Sequence, residues 1–291
     1  MKTSQAPDMV SPLAIPRPAG VPSRRPCGPG SVGSPPQQNP RPGTEIVLSC
    51  LLLLVLLAAW EVTVRVRGIP PLIVPAPTVV WASLVTHTRS GFLILHLGVT
   101  LSEILLGFLA GSLLGIGLGI GAALSPLLRG VLQPYLIASQ AMPKLALAPI
   151  FVMWFGFGIL PKILITALIA FFPLFENTVT GLNEVEADAL ELFRALRATP
   201  WQTLRWLRLP NAVPIVFAGV KVAMVLSIVG AVVAEYVGAN RGLGALIISS
   251  QGIMDTPLMF AVFVVLVLLG VMLYQAVVLL ERACLARRYR G

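Results

Sequence analysis

The chain alternates long apolar runs with short polar breaks. The first run, Ile46 to Val64, is built on "LSCLLLLVLLAAW" and closes on Trp60 and Glu61, an aromatic and a charge suited to a membrane boundary. A stretch holding Pro70, Pro71, Pro75 and Pro77 and a weakly patterned helix come next. Further runs cover Val99 to Leu124, Tyr135 to Phe155, Pro161 to Leu174 with flanks reaching Val179, Val213 to Gly238, and Pro257 to Leu280. Runs near or above about 18 apolar residues can cross hydrocarbon. The pattern predicts an all-α chain of six transmembrane spans with both termini on one side.

Between the fourth and fifth runs the pattern becomes amphipathic, in "NEVEADALELFRALRATPWQTLRWLRLP", Asn183 to Pro210. Asn183 with Glu186 reads as a capping box opening a helix through Leu196. Val185, Ala189, Phe193 and Leu196 form its apolar stripe, while Glu184, Asp188, Glu191 and Arg194 occupy other faces. A second box, Thr199 with Gln202 and Pro200 at the first helical position, predicts a short helix ending near Leu209–Pro210. Two short helices joined by a tight bend are expected, lying on the membrane or docking on a partner.

Composition supports the bilayer. Of 291 residues 56% are apolar and only 11% charged, against about a quarter charged in soluble domains. The net charge of +9 is distributed as cytoplasmic loops would have it. With the N-terminus inside, that side holds Lys2, Arg17, Arg24, Arg25, Arg41, Arg129, Arg194, Arg197, Arg205, Arg208, Arg282, Arg287, Arg288 and Arg290. The other holds Arg65, Arg67, Arg89, Lys162 and Arg241. The positive-inside rule then puts the amphipathic insert and both termini in the cytoplasm, and no nucleic acid is needed to explain the charge. Residues 1–44, rich in Pro, Gly and Ser, are expected to be a disordered cytoplasmic tail, residues 45–283 the membrane domain and 284–291 a basic tail.

The chemistry is sparse. The lysines are Lys2, Lys144, Lys162 and Lys221, and none follows a glycine, so a phosphate-binding loop is missing from this chain. ATP hydrolysis, if it drives the process, belongs to a partner. His-Glu-x-x-His and Gly-x-Ser-x-Gly are missing too, which argues against a membrane hydrolase. His87 and His96 have no companion ligands at metal spacing, and Cys27, Cys50 and Cys284 are scattered, so no metal or cofactor is expected. Gly107, Gly111, Gly115 and Gly119 line one face of a helix, for close packing or for a pore. His96, Thr100 and Glu103 share a helical face, as path or gate residues or as interhelical bonds. Pro143 and Pro149 should kink the third span beside Lys144. Lys221 and Glu235 fall on one face, where the lysine could attract an anion or pair with the glutamate.

The insert resembles the EAA loop of permease subunits in binding-protein-dependent ABC importers. Glu191 stands at the acidic start of that motif, and Leu207, Leu209 and Pro210 match its end. Leu192 and Phe193 replace its alanines and Arg197 its glycine; a glycine takes a left-handed helix end at little cost, so the arginine implies either a bend of another geometry between Leu196 and Thr199 or an ATPase groove adapted to a bulky, positive side chain. "APTVVWASL", "LAPIFVMWFGFGILPKILI", "FFPLFENTVTGL", "VVAEYVGANRGLGALI" and "DTPLMFA" extend the resemblance along the chain, towards the sulfonate, taurine, nitrate and thiamine-precursor branch. It implies the six-helix type I importer permease fold, with coupling to a cytoplasmic ATPase through Glu191, Leu192, Phe193, Arg197, Leu207, Leu209 and Pro210. It also implies a periplasmic substrate-binding protein, a homodimer in the lipid of a bacterial inner membrane, and a solute chosen largely by that binding protein. "TLSEILLGF" and "AVVAEYVGANRGLG" lean towards thiamine pyrimidine precursors or riboflavin, ahead of sulfonate, taurine and nitrate. Glu103, Gln140, Lys144, Lys221 and Glu235 are the candidate path residues. The competing class is a secondary transporter that works without an ATPase; two similar halves, which would favour it, are not visible.

Overall fold

The computed structural model describes residues 42–288, with side-chain surroundings for 47–286. Residues 1–41 of the Pro/Gly-rich tail and 289–291 of the basic tail lie outside the described residues. The chain divides into two compact units, residues 1–51 and 52–291. The first is described only over Pro42–Leu51, a helical stretch exposed from Val47 onward, and the second carries the packed helices.

The helices are α1 (Pro42–Val66), α2 (Pro77–Arg89), α3 (Phe92–Leu124), α4 (Pro126–Ala141), α5 (Ala148–Phe155), α6 (Ile159–Asn183), α7 (Ala187–Ala195), α8 (Pro200–Thr203), α9 (Leu209–Tyr236), α10 (Leu243–Gly252) and α11 (Thr256–Arg288). A 3-10 turn, Lys144–Leu147, precedes α5, and a π-helical segment, Leu204–Arg208, joins α8 to α9. Among the described residues five stretches are long and apolar enough to span a membrane; α4 with α5 makes a sixth if this pair, bent by 86°, is one broken span.

The packing favours that reading. Gly107 faces Ile163 and Thr166, Gly111 faces Ala167 and Ala170, and Gly119 faces Phe175 and Thr178, so α3 and α6 run parallel. A chain that crosses twice in the same direction must return in between, and α4–α5 is what lies between them. The break falls at Met142–Pro143, where Met142 is extended (ψ 131°) as a residue before proline prefers. Pro149 takes an early position of α5, where its missing N–H is harmless, so it starts a helix instead of kinking one.

Several helix boundaries depart from the sequence pattern, each for a local reason. Gly91, at φ 75°, turns the chain sharply enough for α3 to begin at Phe92, well before Val99. Asn183 does not open a capping box: it is the last residue of α6, its side chain donates to Val179 O at 2.8 Å, and α7 begins after Glu186 without a side-chain cap. The box at Thr199 and Gln202 does form, with both reciprocal bonds. The helix it opens does not end near Pro210. It widens into the π segment and runs on through α9 as one stretch, Pro200–Tyr236. Pro210 offers no N–H to Trp206, and the widened turn falls just before it. The sequence pattern assigns no element to residues 243–252; they form α10, too short to span and buried through Leu243, Gly244, Ala245, Leu246, Ile247 and Ser250. A helix at membrane depth that does not cross is tolerated where protein covers it.

The core is the α3–α6–α9 layer. The glycine stripe is a packing seam: a Cβ at Gly111 would sit 2.5 Å from Ala167 O, and one at Gly115 would sit 2.7 Å from Phe171 O. Gly181, Gly219 and Gly230 let α9 lie antiparallel on α6 in the same way. α10 and α11 close the layer through Leu243, Leu246, Leu258, Val262 and Leu269, around Ile104 and Met224. Gly111→Ala is expected to destabilise the purified protein by about 1–3 kcal/mol, because the methyl meets backbone that cannot retreat cheaply. Gly117→Ala, with nothing within 4 Å of its Cβ, should leave the melting temperature unchanged in the same detergent. Equal melting of the two variants would refute the seam.

Candidate functional site

Two polar features stand out, at opposite ends of the layer. The first is a buried knot. His96, Thr100 and Glu103 on α3 point inward, with exposures of 8%, 0% and 1%. Thr100 Oγ1 donates to Glu235 Oε1 at 2.7 Å and accepts from Leu243 N at 2.7 Å. Glu235 Oε2 accepts the N–H of Gly244 at 2.5 Å, and His96 Nδ1 lies 3.1 Å from Gly242 N and 2.9 Å from Gly242 O. The first turn of α10 is thus held by side chains of α3 and α9, which satisfy amide groups that the helix itself cannot. Glycine at 242 and 244 permits this. Gly242 sits at φ 125°, and a Cβ at Gly244 would come within 2.8 Å of Glu235 Oε2.

Glu103 completes the knot from the other side. Its Oε1 accepts from Lys162 Nζ at 2.6 Å, with side-chain exposures of 1% for the acid and 12% for the base. Its Oε2 is buried and meets no donor. Two acids and one base buried together are costly to separate from one another, since removing one partner leaves an uncompensated charge.

The second feature is the knob formed by α7 and α8. α7 ends with two hydrogen bonds, Arg197 N to Arg194 O at 2.9 Å and Ala198 N to Phe193 O at 3.0 Å, the paired closure of a Schellman motif. Arg197 occupies its left-handed position, φ 53°. The bend therefore keeps the glycine geometry with an arginine in it, at a cost of roughly 1 kcal/mol or more. Glu191, Leu192, Arg197 and Leu209 are exposed, and Phe193, Leu207 and Pro210 half-buried. Leu192, Leu196, Trp201 and Trp206 leave 59%, 69%, 62% and 68% of their surface open, an unusually apolar display beside that much charge.

The candidate path residues are not brought together. Glu103 and Glu235 meet in the knot. Lys221 does not pair with Glu235: its Nζ donates to both oxygens of Glu281 on α11, at 2.9 and 3.2 Å. Lys144 Nζ stands 3.8 Å from the centre of the Phe172 ring, a cation–π contact at the bend of the broken span. Gln140 Nε2 donates to Glu176 Oε1 at 3.2 Å on the open side of α6. Sequence reasoning does not find Lys162, Glu281, Glu176, Gly242 and Gly244 as partners. The charge pattern sets Lys162 among the outer-loop charges, and only its neighbour Pro161, a helix-start residue, hints that it sits in a first helical turn.

A layer of glycine-packed spanning helices, a broken span and a knob continuous with one spanning helix define a membrane transport protein. The chain belongs to the family of binding-protein-dependent transport system inner membrane components, which matches residues 111–285. It is 43% identical to the riboflavin transport system permease protein RibX of Chloroflexus aurantiacus, over 79% of this chain and 86% of that one. It is 35% identical to the formylaminopyrimidine transport permease protein ThiX of Halalkalibacterium halodurans (82% and 94% covered). To the taurine transport system permease protein TauC of Escherichia coli it is 32% identical (82% and 88% covered). Its fold is similar to that of a chain from the inward-facing MetNI methionine ABC transporter, with a TM-score of 0.60 at 20% identity over 67% of this chain and 97% of that one. The architecture is the type I importer permease fold.

Lys162→Met is expected to lower stability by about 3 kcal/mol by stranding Glu103, seen as a lower melting temperature of the purified protein. Adding Glu103→Gln to that variant should restore most of the loss. A double variant no more stable than the single one would mean that the pair is not what holds this end.

Proposed function

We propose that this chain is the membrane-spanning permease subunit of an ATP-driven importer in a bacterial inner membrane, with both termini in the cytoplasm. Its solute is a small heterocyclic organic molecule, riboflavin or a pyrimidine precursor of thiamine. Two copies enclose the pathway, a periplasmic binding protein delivers the solute, and an ATPase subunit docks on the α7–α8 knob. The observation that carries this reading is the knob itself. It presents Glu191, Leu192, Leu196 and Trp201 to solvent on one face of a pair of short helices. Exposed apolar side chains rimmed by charge mark a surface for a partner. The solute class rests on higher identity to the riboflavin and formylaminopyrimidine permeases than to the taurine permease.

Mechanically, the permease alternates between two arrangements, biased by ATP at one face and by the loaded receptor at the other. The chain contributes the path and the lever and takes no part in hydrolysis.

The test is uptake into vesicles holding this chain with the ATPase and receptor encoded beside it. ATP-dependent accumulation of labelled riboflavin or formylaminopyrimidine, with taurine excluded, is the expected result. Glu191→Lys should insert normally yet lose co-purification with the ATPase and lose uptake. Uptake by the chain alone on an ion gradient, indifferent to ATP, would overturn the importer reading, and taurine accumulation would overturn the solute class.

A further inference from the structure

A cavity of about 290 Å³ lies between α7, α8 and the ends of α3 and α4, walled by Leu124, Pro126 and Leu190 and carrying Arg194 and Arg208. Leu190 and Arg194, one turn apart, share a row of α7, and Glu191 and Asp188 fall on other rows, so no carboxylate lines the cavity. The ion pairs among the described residues are Glu61–Arg65, Glu103–Lys162 and Lys221–Glu281, which leaves Arg194 and Arg208 without an acid. Arg208 donates one N–H to Ala123 O at 3.2 Å, which fixes its guanidinium at the mouth and leaves its other N–H groups uncommitted.

The level of the cavity says what would enter it. α3, apolar to its last residue, ends at Leu124 in the cavity wall, so an apolar spanning stretch leads straight to the cavity and sets it at the end of a crossing. Trp206, exposed on the adjoining π-helical segment, suits such a boundary. Two guanidinium groups with no acid, over an apolar wall at headgroup depth, match a phosphate that arrives with or without acyl chains. The volume falls just below the range of drug-sized ligand sites, about 300–1,000 Å³, and suits a headgroup.

We infer that this cavity binds a phosphate-bearing anion through Arg194 and Arg208, as a headgroup site at the root of the knob. The source is either an anionic phospholipid or a soluble phosphomonoester. The inference rests on the chain spanning a membrane and not on which solute it carries. An anion there would neutralise the arginines and brace α7 against the ends of α3 and α4, so that lipid charge bears on the part of the chain proposed to meet the ATPase.

Native mass spectrometry of the full-length protein in a neutral detergent tests it, with dihexanoyl phosphatidylglycerol, dihexanoyl phosphatidylcholine and glycerol 3-phosphate as probes. One phosphatidylglycerol per chain is expected, held more tightly than phosphatidylcholine. Arg194→Gln should weaken it about five- to tenfold, the effect of removing one basic group near a lipid surface. Arg194→Lys should fall between and carries the test if the glutamine variant does not fold; Arg89→Gln, at the exposed end of α2, should change nothing. Displacement of the lipid by equimolar glycerol 3-phosphate supports the soluble source at the same site, and no displacement supports the lipid. Equal binding by wild type and Arg194→Gln, or equal binding of the two lipids, overturns the site. So does loss of ATPase co-purification in Arg194→Gln with lipid binding intact, which would move Arg194 to the docking face.

Discussion

How closely α3 can lie on α6 decides the rest of the molecule. Between helices in lipid there is no hydrophobic driving force, so contact area and backbone approach carry the association. The stripe from Gly107 to Gly119 presses α3 against Ile163, Ala167, Phe171 and Phe175 along most of a membrane crossing. One turn beyond the end of that seam, the same approach sets Glu103 opposite Lys162. The parallel direction of the seam fixes the topology as well, since it requires α4–α5 to return the chain across the membrane. A side chain anywhere in the stripe would therefore disturb packing, an ion pair and a crossing together.

The knot shows what that closeness makes possible. A lone carboxylate at this depth would be expensive. Here Glu235 binds a hydroxyl and a helix-end amide while Glu103 binds an ammonium, so the polar groups serve to join elements. The elements joined, α3, α6, α9 and α10, include the short helix that neither spans nor makes a long seam of its own. α10 is thus fixed by hydrogen bonds at its first turn and by apolar burial along its length. This gives the buried face of "GLGALIIS" a function that its composition alone does not announce.

The spanning helices are legible in the sequence because a bilayer leaves the backbone few options, and a run of apolar residues bounded by prolines or charge has one reading. The capping box at Thr199 is legible because all its atoms lie within one turn. Contacts between elements are not. Lys162 with Glu103, Lys221 with Glu281 and Gln140 with Glu176 join residues far apart in the chain, and periodicity carries no information about which faces meet. The pairing of Lys221 with Glu235 rests on a shared helical face alone, and a nearer partner on α11 wins. The Asn183 box fails for another reason: the apolar face of α6 continues through Leu182, so tertiary burial extends that helix over a residue whose local chemistry suits a start.

The continuity of α8 with α9 gives the knob its mechanical meaning. Had a loop joined the second knob helix to the fifth span, a displacement at the knob could dissipate in that loop. As built, Pro200 to Tyr236 is one helical stretch of 37 residues, about 55 Å at 1.5 Å per residue, with Trp201 at one end and Glu235 at the other. The features that weaken its hydrogen-bond ladder, the π segment, Pro210 and Pro214, all fall close to the knob. Beyond them, Gly219 and Gly230 clamp α9 to α6. A partner that moves the knob therefore has two outcomes available: bending at those features, or tilting α9 and α6 together and carrying Glu235 and the first turn of α10 with them. The Schellman bend at Arg197 bears on the choice, because its two hydrogen bonds fix the end of α7 and leave only Ala198 and Thr199 between that closure and the start of α8.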